Sequence, residues 1–251
     1  MYIDTHCHLS NEDYDNIDEI IEENRRAKIE KVIISGCTRE SITESLELSK
    51  KYEDVYVTIG FHPSEAKITN ISDINDLEKH LSYDKVVGIG EIGLDYHYGK
   101  EDMELQKELF RIQMKLAEKY KLPVVIHSRD ATLDTINILN EFPDVIGDIH
   151  CFSGSFETAC QYIDMGYYLG IGGVITFNNS NLYKVVEKIG IDKILFETDS
   201  PYLTPVPFRG KKNSSKYIPY ICKKVAETVK MDELDVSQKI LNNTYDLFDL
   251  K

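Results

Sequence analysis

Eight short apolar runs punctuate the chain, at residues 2–4, 31–35, 55–59, 86–91, 124–127, 146–150, 167–171 and 194–197. Most are continuous in Val, Ile and Leu instead of alternating with polar residues, the pattern of strands buried on both faces of a parallel sheet. The intervals between them carry helical periodicity. It is clearest over 101–120, where Leu105, Leu109, Ile112 and Leu116 recur three or four apart among Lys, Arg and Glu. Further helices are predicted over 15–28, 40–51, 73–81, 131–141, 155–165, 182–189, 215–229 and 232–248. Strands alternating with crossover helices make right-handed βαβ units, and eight of them in 251 residues predict an α/β fold, a (β/α)8 TIM barrel. An open doubly wound sheet is the alternative. No Pro-, Gly- or Ser-rich linker and no repeat interrupts the pattern, which predicts a single domain over 1–251.

Composition removes several classes. Hydrophobic residues at 42% and charged residues at 29% are ordinary globular usage, not that of a disordered or collagen-like chain. No run approaches the roughly 18 apolar residues of a membrane helix, and the N-terminus has neither a basic segment nor an apolar one of the secretory kind. The five cysteines, an odd number without CxxC spacing, read as thiols of a reducing compartment, so a cytoplasmic protein without a membrane association is expected. Acidic residues number 43 against 29 basic ones, a net charge of -14 that repels a polyanion unless something local reverses its sign. Residues 201–226 do so: they hold no Asp or Glu, while Arg209, Lys211, Lys212, Lys216, Lys223 and Lys224 lie among Tyr202, Phe208, Tyr217 and Tyr220. Such a segment attracts phosphates and offers aromatic faces to bases, although a charge run is more often a solvated surface.

Barrel enzymes carry their reactive groups at the C-terminal ends of strands. The unusual polar residues fall there: His6 and His8 after the first strand, His62 after the third, Glu91 at the end of the fourth, His127 and His150 at the ends of the fifth and sixth, and Asp199 after the eighth. Alternation in an extended segment puts His6 and His8 on one face and turns Cys7 away, and the same parity removes Cys151 next to His150. Glu91 sits in the buried run of residues 86–93, where an ionised carboxylate requires a cation or another partner. Imidazole and carboxylate together suit Zn²⁺, Mn²⁺, Fe²⁺ or Co²⁺, and the carboxylates also accept Mg²⁺. Six of these residues, His6, His8, Glu91, His127, His150 and Asp199, exceed what one catalytic ion takes and divide sensibly between two ions, with Glu91 as the candidate bridge. Asp199 either caps a turn before Ser200-Pro201 or, beside a metal, ligates it and takes the proton of the attacking water. Glu197, on the same strand face, is positioned to support the site.

The set Thr5-His6-Cys7-His8, Gly60-Phe61-His62-Pro63, Gly90-Glu91-Ile92-Gly93-Leu94-Asp95, Ile126-His127-Ser128-Arg129, His150-Cys151-Phe152-Ser153-Gly154 and Glu197-Thr198-Asp199-Ser200-Pro201 resembles the TatD family of metal-dependent deoxyribonucleases. The match runs in order from residue 5 to about residue 213. The resemblance implies a hydrolase that cleaves DNA phosphodiester bonds, as a 3′–5′ exonuclease, with water activated by two divalent metal ions (Mg, Mn or Zn). It implies His6, His8 and Asp199 on one ion, His127 and His150 on the other, and Glu91 on both, with His62 and Arg209 steadying the phosphate. The family's Asn-Glu-Pro after the Arg-Gly segment is here Asn213-Ser214-Ser215, which leaves the metal set intact and alters the segment beside the substrate.

Two other readings stay open on the residues alone. The same metals serve an amidohydrolase, esterase or deaminase acting on a small molecule, and a binding barrel could retain metal for stability only. DNA is the expected partner; no protein partner is predicted, and the sequence is silent on oligomeric state.

Overall fold

A computed structural model of the chain describes residues 1–97, 99 and 101–251. Its strands are β1 (Tyr2–Cys7), β2 (Ile29–Gly36), β3 (Val55–Ile59), β4 (Val86–Asp95), β5 (Val124–Arg129), β6 (Gly147–Ile149), β7 (Tyr168–Ile171) and β8 (Ile194–Phe196). Between and after them lie α1 (Ile17–Arg26), α2 (Arg39–Lys51), α3 (Ile71–Glu78), α4 (Met103–Tyr120), α5 (Thr132–Leu139), α6 (Phe156–Asp164), α7 (Leu182–Ile189), α8 (Ile218–Val229) and α9 (Glu233–Leu247). The strands form one eight-stranded sheet in chain order. Pairing is parallel from β1 to β2, along β3 to β6, and from β7 to β8. Beyond β8 the chain returns beside β1, through a parallel bridge of Cys7 with Ser200 and a 2.7 Å bond from His8 N to Ser200 O. This is the (β/α)8 barrel expected from the apolar pattern.

The helix limits follow from their caps. Thr38 and Asn70 each close a capping box, with Ser41 and Asp73, so α2 and α3 begin at Arg39 and Ile71, slightly before the start of their apolar pattern. Residues 215–217 form a 3₁₀ turn ahead of α8, whose first turn holds Pro219, where a missing N–H costs no helical bond. Among the described residues no helix is long and apolar enough to cross a membrane, and none of the five cysteines forms a disulfide.

The chain comprises two compact units, Met1–Ile34 with His150–Leu247, and Ser35–Ile149 with Phe248–Lys251. In the first, Ile3, Leu169, Ile171, Ile194 and Leu195 of the strands are buried with Ile221, Val225, Val236 and Ile240 of α8 and α9. Asn243 of α9 adds two bonds from Nδ2, to Ile191 O at 2.8 Å and Ile194 O at 2.9 Å, which anchor the start of β8. In the second, Val55, Val57, Ile59, Ile89, Ile92 and Val124 to Ile126 are buried with Phe110 and Met114 of α4. Each such side chain contributes about 1.5–3 kcal/mol on leaving water.

One helix face differs from its sequence pattern. Leu105 of α4 is 46% exposed, while Gln106 and Gln113 are buried. Two backbone segments claim those glutamines. Gln113 accepts from Phe61 N (2.7 Å) and donates to Phe61 O (3.0 Å), and Gln106 does the same for Asp95 N and O (2.9 Å each). Both amides are satisfied by backbone, which offsets their desolvation and rotates the buried face away from Leu105.

Candidate metal centre

In the first unit, His6 lies within β1 and His8 one residue past it. Their Nε2 atoms stand 3.3 Å apart, and Asp199 Oδ1 lies 3.7 Å from His6 Nε2 and 3.5 Å from His8 Nε2. Cys7 faces the other way, its thiol donating to Ile33 O at 3.5 Å, as strand parity requires. Asp199 has φ 51°, a left-handed conformation that aspartate tolerates better than most residues, and its N–H donates to His6 O at 3.0 Å. His150, directly after β6, stacks on His6 with ring centroids 4.0 Å apart. Donor atoms of His6, His150 and Asp199 all fall within 4.8 Å of one another.

Buried acids brace this group. Asp4 accepts from Thr198 N (3.0 Å), Thr198 Oγ1 (2.6 Å) and His6 N (3.3 Å), tying β1 to the segment that carries Asp199. Burial pushes the Asp4 carboxyl up to about 7, against the hydrogen bonds from Thr198 and Ser215 that pull it down. Glu197, wholly buried, accepts from Cys151 N at 2.9 Å and lies 3.7 Å from His150 Nδ1. Burial raises its carboxyl too, and His150 opposes the rise.

In the second unit, Glu91 does not end its strand: β4 continues to Asp95, and β5 continues past His127 to Arg129. The pairs Gly93 with His127 and Asp95 with Arg129 carry the ladder beyond the apolar runs. Glu91 Oε1 lies 2.6 Å from His127 Nδ1 and 3.7 Å from His62 Nε2, and the Cys37 thiol donates to Glu91 Oε2 at 3.5 Å. His127 Nε2 meets Asp95 Oδ2 at 3.0 Å. Burial drives the Asp95 carboxyl up, but the bonds from His127 and the His97 backbone outweigh it and hold it below the ordinary range. Ser64 N donates to His62 Nδ1 at 3.1 Å, so the ring proton sits on Nε2 and His62 presents a donor.

The six expected ligands therefore assemble as His6, His8, His150 and Asp199 in one unit and Glu91 and His127, beside His62, in the other. The donor sets suit a divalent ion. Atoms 3.3, 3.5 and 3.7 Å apart are what an ion about 2.1 Å from each would impose, with angles of roughly 105–125° between them. His127 has its Nε2 held by a carboxylate, the usual support of a ligating imidazole, so Nδ1 is the nitrogen that would be offered to an ion.

The basic segment is more occupied than its charge suggests. Lys216 pairs with Glu23 at 2.6 Å, and Lys212 donates to Asp13 O. Phe208, Tyr217 and Tyr220 pack on one another at 4.5 to 6.3 Å, so their faces are largely spent, whereas Tyr202 stays 60% exposed with its ring 6.4 Å from that of His8. Arg209 stacks on Phe177 at 4.0 Å and donates to Thr204 O at 3.0 Å. Asp4, Cys37, Asp95, Gln106, Gln113 and Asn213 are the supporting residues that sequence reasoning missed. Asp95 and Asn213, each inside a motif of the family resemblance, carried a signal but no assigned role.

The family described as TatD related DNase matches residues 3–249. The chain is 41% identical over 252 residues to an uncharacterized metal-dependent hydrolase, YabD of Bacillus subtilis (strain 168), covering 99% of each chain. With YcfH of Escherichia coli (strain K12), also described as an uncharacterized metal-dependent hydrolase, identity is 33% over 90% of this chain and 85% of that one. Among solved structures, YjjV, a TatD homologue from Escherichia coli K12, superposes with a TM-score of 0.91 at 30% identity, covering 100% of this chain and 98% of that one. A TatD-family hydrolase from Entamoeba histolytica reaches 0.89 at 23% identity, with the same coverage, a likeness of fold.

Proposed function

The chain belongs to the family of TatD-related DNases, and on that premise we propose that it cleaves DNA phosphodiester bonds from the 3′ end with the help of two divalent ions. That it is a metal-dependent hydrolase of this family follows from its kinship. The observation that supports the finer reading is the convergence of His6 Nε2, His8 Nε2 and Asp199 Oδ1, three donors from two segments far apart in the sequence, within 3.7 Å of one another.

In this reading His6, His8 and Asp199 would hold one ion and His127 and His150 the other, with the Glu91 carboxylate available to both. Divalent ions in such a site lower the pKa of water toward neutrality and stabilise charge on the attacking and leaving oxygens. The chain's own groups do the rest. Asp199 accepts the proton of the attacking water through its carboxylate. His62, with its proton on Nε2, donates a hydrogen bond to a phosphate oxygen. Arg209 keeps N–H groups beyond the one spent on Thr204 and supplies a fixed positive charge to the strand. Asp95 keeps the His127 ring in register. The acid-free stretch 201–226 attracts the polyanion that the net charge of -14 otherwise repels.

The test is digestion of end-labelled single- and double-stranded DNA by metal-free protein after adding back Mg²⁺, Mn²⁺ or Zn²⁺. A ladder shortening from the 3′ end is the expected result. Cuts at internal bonds overturn the exonuclease reading, and no product with any ion, alongside turnover of a small ester, amide or lactone, overturns the nuclease reading.

A further inference from the structure

Within the first unit, the loops that leave β6 and β7 enclose a cavity of about 420 Å³ that no role above uses. Its volume falls in the range of small-molecule sites. Its lining is apolar at Val174, Leu182 and Val185, aromatic at Phe177, and polar at Ser153, Asn179 and Asn181. The guanidinium of Arg209 stacks on one face of Phe177, 4.0 Å from the ring centroid, and is itself tied to Thr204 O, which braces the ring from that side. Asn179 and Asn181 are exposed. The Asn181 side chain makes no capping bond to α7; the Ser180 hydroxyl receives Leu182 N instead, at 3.1 Å. Two exposed carboxamides, each with a donor and an acceptor, thus line a cavity that an aromatic ring also lines.

We infer that this cavity is a nucleobase subsite, in which a base stacks on Phe177 and offers its edge to Asn179 and Asn181. The inference rests on the phosphodiesterase reading and deepens it by naming the part of the substrate the protein grips. Three chemical facts favour a base over another small ligand. Every base has a π-face that stacks on an aromatic plate. Carboxamides match the donor and acceptor pattern of base edges. No carboxylate lines the cavity, and the cation that backs Phe177 suits a ligand joined to phosphates. Position agrees as well: Ser153 is three residues from His150, so their Cα atoms lie within about 11 Å, a distance a strand spans in one or two nucleotides. The subsite therefore grips a nucleotide adjacent to the bond being cut, and Phe177 sets the register of the strand.

The test uses single-stranded octanucleotides in which one abasic residue is moved along the strand. kcat/KM is measured with Mn²⁺, and Kd for the same strands is measured by fluorescence anisotropy after metal removal. Wild type is expected to lose about tenfold or more in kcat/KM when the abasic residue falls at one position near the cleaved bond, and to bind the intact strand more tightly than any abasic one. Phe177→Ala should lose this penalty, and Phe177→Leu, which keeps the volume but not the plate, should lose it as well, so that a misfolded alanine variant does not decide the matter. Equal kcat/KM on every strand, or a leucine variant with the wild-type penalty, overturns the subsite alone. Wild type that cleaves neither these strands nor bis(p-nitrophenyl) phosphate overturns the phosphodiesterase reading and the inference with it.

Discussion

Asn213, wholly buried, holds the backbone of Thr198: its Nδ2 donates to Thr198 O at 2.8 Å and to Tyr202 O at 2.5 Å, bracketing Asp199. Its own carbonyl oxygen receives Tyr14 Oη at 2.8 Å. The family's Asn-Glu-Pro is replaced here after this asparagine, and the asparagine that remains is a clamp on the loop that carries the candidate ligand Asp199. Asn213→Ala strips hydrogen bonds from buried carbonyls, which costs about 1–3 kcal/mol, and frees Asp199 to move away from His6 and His8. Urea unfolding should register the loss of stability, and a calorimetric titration with Mn²⁺ should show weaker binding. A variant with wild-type Mn²⁺ affinity would limit Asn213 to a structural role.

Asp95 acts on His127 in the same indirect way, through the 3.0 Å contact with Nε2. Removing the partner of a ligating imidazole typically costs 10- to 100-fold in metal affinity or activity. If His127 ligates an ion as proposed, Asp95→Ala is therefore expected to weaken that ion by about that factor, leaving an ion held by His6 and His8 less affected. Competition with a chromophoric chelator resolves the two; equal weakening of both would show that Asp95 sustains the fold instead of one ligand.

The candidate ligands could be singled out in the sequence because they combine two signals, a side chain able to bind metal and a place where an apolar run stops. The clamps were not. Asp4 reaches Thr198 across 194 positions, Gln113 reaches Phe61 across 52, and Asn213 reaches Thr198 across 15, each through backbone atoms that no side-chain pattern announces. The full length of β4 was hidden for a related reason. Gly90 and Gly93 break the apolar run as a turn would, yet Gly93 is there because a Cβ would sit 2.0 Å from His127 O at the φ of +138° it adopts. The glycine admits the neighbouring strand, so the ladder continues where composition suggests it ends.

Acid stability has one contribution that can be isolated away from the metal ligands. Arg39 bonds both carboxylate oxygens of Asp73, at 2.7 and 2.5 Å, and holds that carboxyl below its ordinary value of 3.8. A depressed acid contributes stability above its unfolded pKa and loses it as the pH falls through the folded one. Arg39→Met should accordingly melt below wild type at about pH 7, and the two curves should converge as the pH drops below about 4. Comparing the two proteins cancels the titration of other carboxylates; a gap that stays constant down to about pH 2 would remove the ion pair from the account.

Metal removal should be visible in the folding equilibrium, independently of any substrate. His6, His8 and Asp199 bring two imidazoles and a carboxylate within 3.7 Å of one another, an arrangement that a bound divalent ion would stabilise. An ion bound only by the native state stabilises it by about 2.7 kcal/mol at a free concentration one hundred times Kd, and a chain of this size shifts by about 2–4 °C per kcal/mol. Adding excess chelator should lower the Tm by roughly 5–10 °C, and restoring Mn²⁺ or Zn²⁺ should return it. His8→Ala should shrink that response without abolishing it, because His6, His150 and Asp199 still lie within reach of one ion. If His8→Ala melts with the full chelator response, His8 is no ligand, and if wild type shows none, metal is not bound in the native state with useful affinity. Scanning calorimetry with and without chelator separates these outcomes on a single preparation.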